Sequence, residues 1–210
     1  MTQLLLPHAL PRRRQPTCTV APPAPSTAAA CAAAGLQPAR LPRHVALILD
    51  GNSRWASARS LPALEGHRRG AARLLEAVRC CASWGVPSLT AFAFSTDNWR
   101  RPAEEVGGIF AVIEGALTRQ VVDEFTELGV RLSAVGDLQA LPLSLQRVLQ
   151  RASEATRDGS VLHLQLLLNY SGRSDILAAT RALAQAAAAG TLRPADIDDA
   201  AFEAVLAATA

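Results

Sequence analysis

Four short apolar runs, each followed by a helical stretch, constrain this chain more than any other feature. They are VALIL (45–49), SLTAFAF (88–94), VRLSAV (130–135) and VLHLQLLLNY (161–170). VALIL is continuously apolar, without polar alternation, and reads as a short buried strand; the other three are strand candidates. Between the first two, GHRRGAARLLEAVRCCASWG places Leu74, Leu75, Val78 and Ala82 on one helical face and stops at Gly85. The next segment, PAEEVGGIFAVIEGALTRQVVDEFTELG, reads as one helical stretch opened by Pro102 and closed by Gly129, with two glutamates favouring its first turn. LPLSLQRVLQRASEATRDG fills the third gap, and SDILAATRALAQAAAAG follows the last run, with Ser174 as its N-cap and Gly190 as its stop. This alternation predicts an α/β fold, a single domain with a mostly parallel sheet flanked by helices. No internal repeat is present.

The 210 residues suffice for one domain with a full core. Charge divides the chain in two. Residues 1–43 hold five arginines and no acid, whereas residues 44–210 carry 16 arginines against 18 acids. The basic excess therefore belongs to the N-terminal segment, and a nucleic-acid partner is not indicated. That segment is rich in Ala, Pro and Arg, predicting a disordered leader over 1–43 and a folded domain over 44–210. Its lack of acids suits an organelle transit peptide. Its eight prolines oppose the amphipathic helix of a mitochondrial presequence, so a plastid is favoured over the mitochondrion or the endoplasmic reticulum surface. No apolar run reaches the roughly 18 residues of a membrane span. The chain has no lysine, which excludes Schiff-base chemistry and a P-loop. Cys18, Cys31, Cys80 and Cys81 lack C-x-x-C spacing and read as buried or idle thiols.

Polar residues collect just past the strand ends: Asp50–Arg54, then STDNWRRP (95–102), GD (136–137) and NYSGRSD (169–175). In open parallel sheets, ligands bind at the strands' carboxyl ends. A strand, a tight Gly51–Asn52 turn and a helix start offer free N–H groups to an anion. Asp50 is a hard ligand suited to Mg²⁺, which bridges carboxylates and phosphates, although the same position also fits a helix cap. Arg54 and Arg101 are suited to clamp phosphate. Ser95, Asn98 and His67 add hydrogen bonds, and Trp55 and Trp99 read equally well as packed core.

HVALILDGNSRWA, EGHRRG, AFAFSTDNWRRPAEEV, VRLSAVGDLQALP and NYSGRSDI occur in order from His44 onward. Together they resemble the cis-prenyltransferases, the family of undecaprenyl diphosphate and dehydrodolichyl diphosphate synthases. The resemblance implies transfer of isopentenyl diphosphate onto an allylic diphosphate such as farnesyl diphosphate, with Mg²⁺ and cis double bonds. It implies that Asp50 is the magnesium-linked catalytic acid and that Gly51, Asn52, Ser53 and Arg54 cradle the allylic diphosphate. Trp55 and His67 match positions beside that substrate. Ser95, Thr96, Asp97, Trp99 and Arg101 match the second substrate loop, and Asn98 matches a proton acceptor. The resemblance further implies a tunnel along the apolar faces of the first two helices, a homodimer or a heterodimer with a related subunit, and membrane-surface contact through the lipid product.

The chain departs from the family pattern twice. Ala63 stands where an arginine is usual, leaving Arg59, Arg68 or Arg69 as candidates to compensate. The family's R-T-S-G-E-type motif and last strand are absent from FEAVLAATA, the last residues, which predicts an incomplete domain and weak catalysis by the chain alone. Competing readings are a non-catalytic or truncated subunit supporting an active relative, and an aspartyl phosphohydrolase. The second would want an acid two residues from Asp50, where Ile48 and Asn52 stand.

Overall fold

All four apolar runs form strands in the computed structural model, which describes residues 25–209. They are β1 (His44–Ile48), β2 (Ser88–Ser95), β3 (Val130–Val135) and β4 (Leu162–Tyr170). Every pairing is parallel, in the order β1-β2-β4-β3. The α/β fold with a parallel sheet and flanking helices is thus as the alternation predicts. Two compact units are described, residues 25–171 and residues 172–209.

In the first unit the helices are α1 (Pro25–Ala33), α2 (Asn52–Ser57), α3 (Ala63–Trp84), α4 (Ala103–Ala116), α5 (Arg119–Glu127) and α6 (Leu143–Ala155). One apolar core joins Val78 and Ala82 of α3, Ile109 and Phe110 of α4, Phe125 of α5, and Leu145 and Leu149 of α6 to alternate residues of the strands, among them Leu89, Leu132 and Leu164. Gly85 ends α3 with φ +75°, and the Val86 N–H closes back on the Cys81 carbonyl at 2.9 Å. The second unit holds α7 (Gly172–Ala188) and α8 (Asp199–Thr209). Among the described residues, no helix is long and apolar enough to cross a membrane.

The structure corrects the sequence reading at four points. The run 102–129 is two helices, because the Thr118 side chain accepts the Val121 N–H and starts α5 anew. Ser174 lies inside α7 rather than capping it. VALIL reads as a buried strand, yet β1 is an edge strand whose residues alternate between exposed and half-buried, with Ile48 80% exposed. An apolar run reports composition, and only pairing decides whether both faces are covered. The fourth point concerns the leader. Residues 1–24, with Cys18, lie outside the described residues, but residues 25–43 are ordered. Cys31 of α1 is fully buried and its thiol donates to the Trp84 carbonyl at 3.6 Å. Apolar packing against the end of α3 there outweighs a composition that favours disorder.

Deletion through residue 43, which strips α1 from α3, is therefore expected to lower the unfolding midpoint further than deletion that stops at residue 24. For a domain of this size each kcal/mol lost lowers the midpoint by about 2–4 °C. Calorimetry of the two deletions checks this, and equal midpoints would refute it.

Candidate active site

Parallel pairing brings the loops that follow the strands to one edge of the sheet. β1 ends at Ile48, opposite Phe92 of β2, and Ser95 at the end of β2 lies opposite Tyr170 of β4. The first loop turns at Gly51, whose φ of +81° is the left-handed conformation that glycine adopts without strain. Asp50 closes the turn: its Oδ1 accepts the Gly51 N–H at 2.6 Å, and its Oδ2 accepts from Arg54 at 3.0 Å. Both side chains of this ion pair are more than 70% exposed, so their attraction is weak and the pair is free to open. The helix that follows, α2, has only six residues, so the N–H groups and Arg54 matter here more than a helix dipole.

Asn52 is seated against α3 at two glycines one turn apart. A Cβ on Gly66 would stand 2.1 Å from the Asn52 carbonyl oxygen, and one on Gly70 would stand 2.5 Å from its Oδ1. His67, between them, reaches the site. Its Nε2 lies 3.4 Å from Glu105 Oε1 and 3.5 Å from Ser53 Oγ.

Glu105, at the start of α4, is the residue that sequence reasoning missed. Its Oε1 accepts from Arg101 at 2.7 Å and from Ser53 at 3.5 Å, besides the His67 contact. The Arg101 hydrogen bond holds the carboxyl below the usual carboxylate range; partial burial opposes this, and His67 adds to the lowering. The available signal was its place four residues after Arg101, just inside the helix that Pro102 opens.

The second loop is a 3₁₀ turn over Thr96–Arg100, closed by a reciprocal cap in which the Ser95 N–H donates to Asn98 Oδ1 at 3.1 Å. Trp99 donates its indole N–H to Asn169 at 2.8 Å and packs edge-on against Phe94 and Phe110.

Of the residues singled out from the sequence, Asp50, Gly51, Asn52, Ser53, Arg54, His67 and Arg101 line one open pocket of about 310 Å³, with Glu105. Asn98 borders an adjoining apolar cavity of about 90 Å³ between α3 and α4, whose walls include Leu74, Val78, Ile109, Ile113 and Phe125. Asn52, His67 and Arg101 border both. Trp55, Ser95, Thr96, Asp97 and Trp99 line neither. Trp55 lies under the Arg59 guanidinium, 4.4 Å from the ring centre, and Asp97 faces Arg100 at 3.8 Å with both side chains exposed. The arginines near Ala63 are also engaged locally: Arg59 donates to the Trp55 carbonyl, and Arg68 and Arg69 face Glu65.

Among the described residues, no three His, Cys, Asp or Glu side chains cluster as a metal cage. Asp50, exposed and beside the pocket, fits a Mg²⁺ that takes one carboxylate from the protein and its other oxygens from phosphate and water.

A family profile described as "Putative undecaprenyl diphosphate synthase" matches residues 48–210. The chain belongs to this family. Isoprenyl transferase 2 of Corynebacterium efficiens is 46% identical over 162 residues, covering 77% of this chain and 66% of the relative. The (2Z,6Z)-farnesyl diphosphate synthase CPT6, chloroplastic, of Solanum lycopersicum is 42% identical over 163 residues, covering 78% of this chain and 55% of that protein. The chain thus spans 66% or less of the length of these two curated relatives. Among solved structures, lavandulyl diphosphate synthase from Lavandula x intermedia, in complex with dimethylallyl diphosphate, superposes with a TM-score of 0.73 at 34% identity, covering 78% of this chain and 70% of that one.

The two glycines of α3 should behave differently when substituted in this family member. Gly66→Ala meets backbone and must displace the diphosphate-loop candidate, with a cost of about 1–3 kcal/mol typical of overpacking. Gly70→Ala meets only the end of the Asn52 side chain, which can turn away, so its cost should be smaller. Urea unfolding of the two variants checks the order, and equal loss would overturn it.

Proposed function

We propose that this chain holds an allylic diphosphate over the Asp50–Arg54 loop and joins it to isopentenyl diphosphate, as a cis-prenyltransferase does. The observation that carries this reading is the junction of a polar pocket containing Arg54 and Arg101 with an apolar cavity, through the shared residues Asn52, His67 and Arg101. A ligand with a charged head and a hydrocarbon tail matches that junction. The relatives' names support it, since they include an isoprenyl transferase and a farnesyl diphosphate synthase.

In this reading the allylic C1–O bond breaks and its electron pair leaves on the diphosphate. Arg54, freed from its exposed pairing with Asp50, and the loop N–H groups stabilise that charge. A Mg²⁺ held by Asp50 and the substrate phosphates would add positive charge at the leaving group. The isopentenyl double bond forms the new C–C bond at C1, and loss of a proton from the isopentenyl C2 sets the new double bond while diphosphate is released. Arg101 binds the isopentenyl diphosphate from the second loop. Asn98 stands at the cavity edge as the group receiving the proton; its Oδ1 accepts the Ser95 N–H, so the lone pair not used there is the one on offer. Ser53 and His67 complete the allylic side, and Glu105 keeps Arg101 and His67 turned toward the pocket. Assembly as a homodimer or with a related subunit, and contact with a membrane surface through the lipid product, belong to the same reading.

The purified 210-residue chain should bind farnesyl diphosphate more tightly with Mg²⁺ than without. Asp50→Ala should remove that Mg²⁺ effect, weakening binding by about tenfold or more, as loss of a charged contact does, and should abolish elongation with labelled isopentenyl diphosphate. Near-normal Mg²⁺-dependent binding or turnover by Asp50→Ala refutes the assignment.

Plastid targeting is part of the proposal, supported by the acid-free composition of residues 1–43. A reporter carrying these residues is expected in plastids, and a cytosolic or secreted reporter refutes it.

A further inference from the structure

Asn169 combines three features rarely found together. It is only 6% exposed, it holds a left-handed backbone with φ +49°, and both ends of its side chain are engaged across the sheet edge. A non-glycine residue in this conformation is strained and persists only where its surroundings hold it. Here the carboxamide supplies the compensation. Its Oδ1 accepts the Trp99 indole N–H at 2.8 Å, and its Nδ2 donates to the Asp137 carbonyl at 2.9 Å. Its own carbonyl oxygen accepts the Asp137 N–H at 3.3 Å.

One residue therefore joins the ends of β3 and β4 to the loop that follows β2. Trp99 sits in the 3₁₀ turn between Asn98, which borders the apolar cavity, and Arg101, which borders both cavities. The indole is further fixed against Phe94 and Phe110, with ring centres 5.4 and 5.5 Å away. The Ser95–Asn98 hydrogen bond closes the same turn that carries Trp99.

We infer that Asn169 is a positioning residue: through the Trp99 indole it sets where Asn98 and Arg101 stand, and so controls how the second loop holds its diphosphate. The strained backbone is the geometry that aims the carboxamide at Trp99. Glycine would adopt the backbone without strain and lose the aim. Aspartate would keep an acceptor oxygen but set a second, anionic one against the Asp137 carbonyl at a buried position, so it is not a neutral substitute.

This inference rests on the proposed prenyl-transfer reading for its functional half, and the test separates the two. The chain has three tryptophans, so its indole N–H resonances can be assigned with Trp99→Phe. In the unaltered chain the Trp99 indole should be slow to exchange with solvent. It should exchange rapidly in Asn169→Gly. Calorimetric titration should show isopentenyl diphosphate binding weakened about tenfold in Asn169→Gly, the scale of one lost hydrogen bond. Farnesyl diphosphate binding should be unchanged, since the Asp50 loop is untouched, and Trp99→Phe, which loses the same hydrogen bond, should weaken isopentenyl diphosphate binding alike. Three results would overturn the inference: a slow indole in Asn169→Gly, equal weakening for both diphosphates, or isopentenyl diphosphate binding by Trp99→Phe as tight as the parent's. If the unaltered chain binds neither diphosphate, the proposed function fails, while indole exchange still decides whether Asn169 pins the loop.

Discussion

Parallel pairing between β2 and β4, at the centre of the sheet, is the constraint on which the site depends. It sets Ser95 beside Tyr170 at the carboxyl ends, and the parallel partners of these two strands send their own loops to the same edge. Helices α3 and α4 return the chain between strands and share one core with them. Were any strand reversed, its polar residues would move to the far edge and its loop would leave the site. The ladder shifts register between Phe92 and Ser95, just before the second loop begins, so the departure from regular pairing falls where the chain must leave the sheet.

Within that frame the charged groups divide by how firmly they are held. The Asp50–Arg54 pair is exposed to water, costs little to open, and leaves both partners available to an incoming anion and its cation. Arg101 is tied to a less exposed carboxylate, Glu105, which also faces His67 and Ser53. The first loop therefore adapts while the second is preset. Such a division suits the proposed reaction, in which one diphosphate ionises while the other stays in place. Asn52 links the two regimes, because its backbone is pressed onto Gly66 while its side chain borders both cavities.

The apolar cavity follows from the same packing. Ile109, Ile113, Leu74 and Val78 would complete an ordinary core if α3 and α4 closed fully upon each other. Instead these side chains line a narrow space that opens at the polar pocket. Periodicity assigns them to a buried face in either case, since burial against a neighbour and burial around a cavity leave the same pattern in the sequence.

Much of this was legible without coordinates. Strand and helix order followed from apolar runs and helical faces, because those patterns are local. The convergence of Asp50, Arg54 and Arg101 followed from the rule that parallel sheets bind at their carboxyl ends. Only the tertiary structure could distinguish Asp50 and Arg54, which reach the pocket, from Trp55, Asp97 and Trp99, which do not, since neighbours in sequence turn to different sides of a helical or 3₁₀ turn. It alone exposed β1 as an edge, ordered residues 25–43 through the burial of Cys31, and joined Glu105 to His67 and Asn169 to Trp99. The last two contacts bridge 38 and 70 residues of chain. By itself the sequence determined which chemistry the chain carries and in what order its elements form. The folded structure decided which of those groups meet, because contacts between distant residues depend on how strands pair and helices pack, and local pattern holds no record of that.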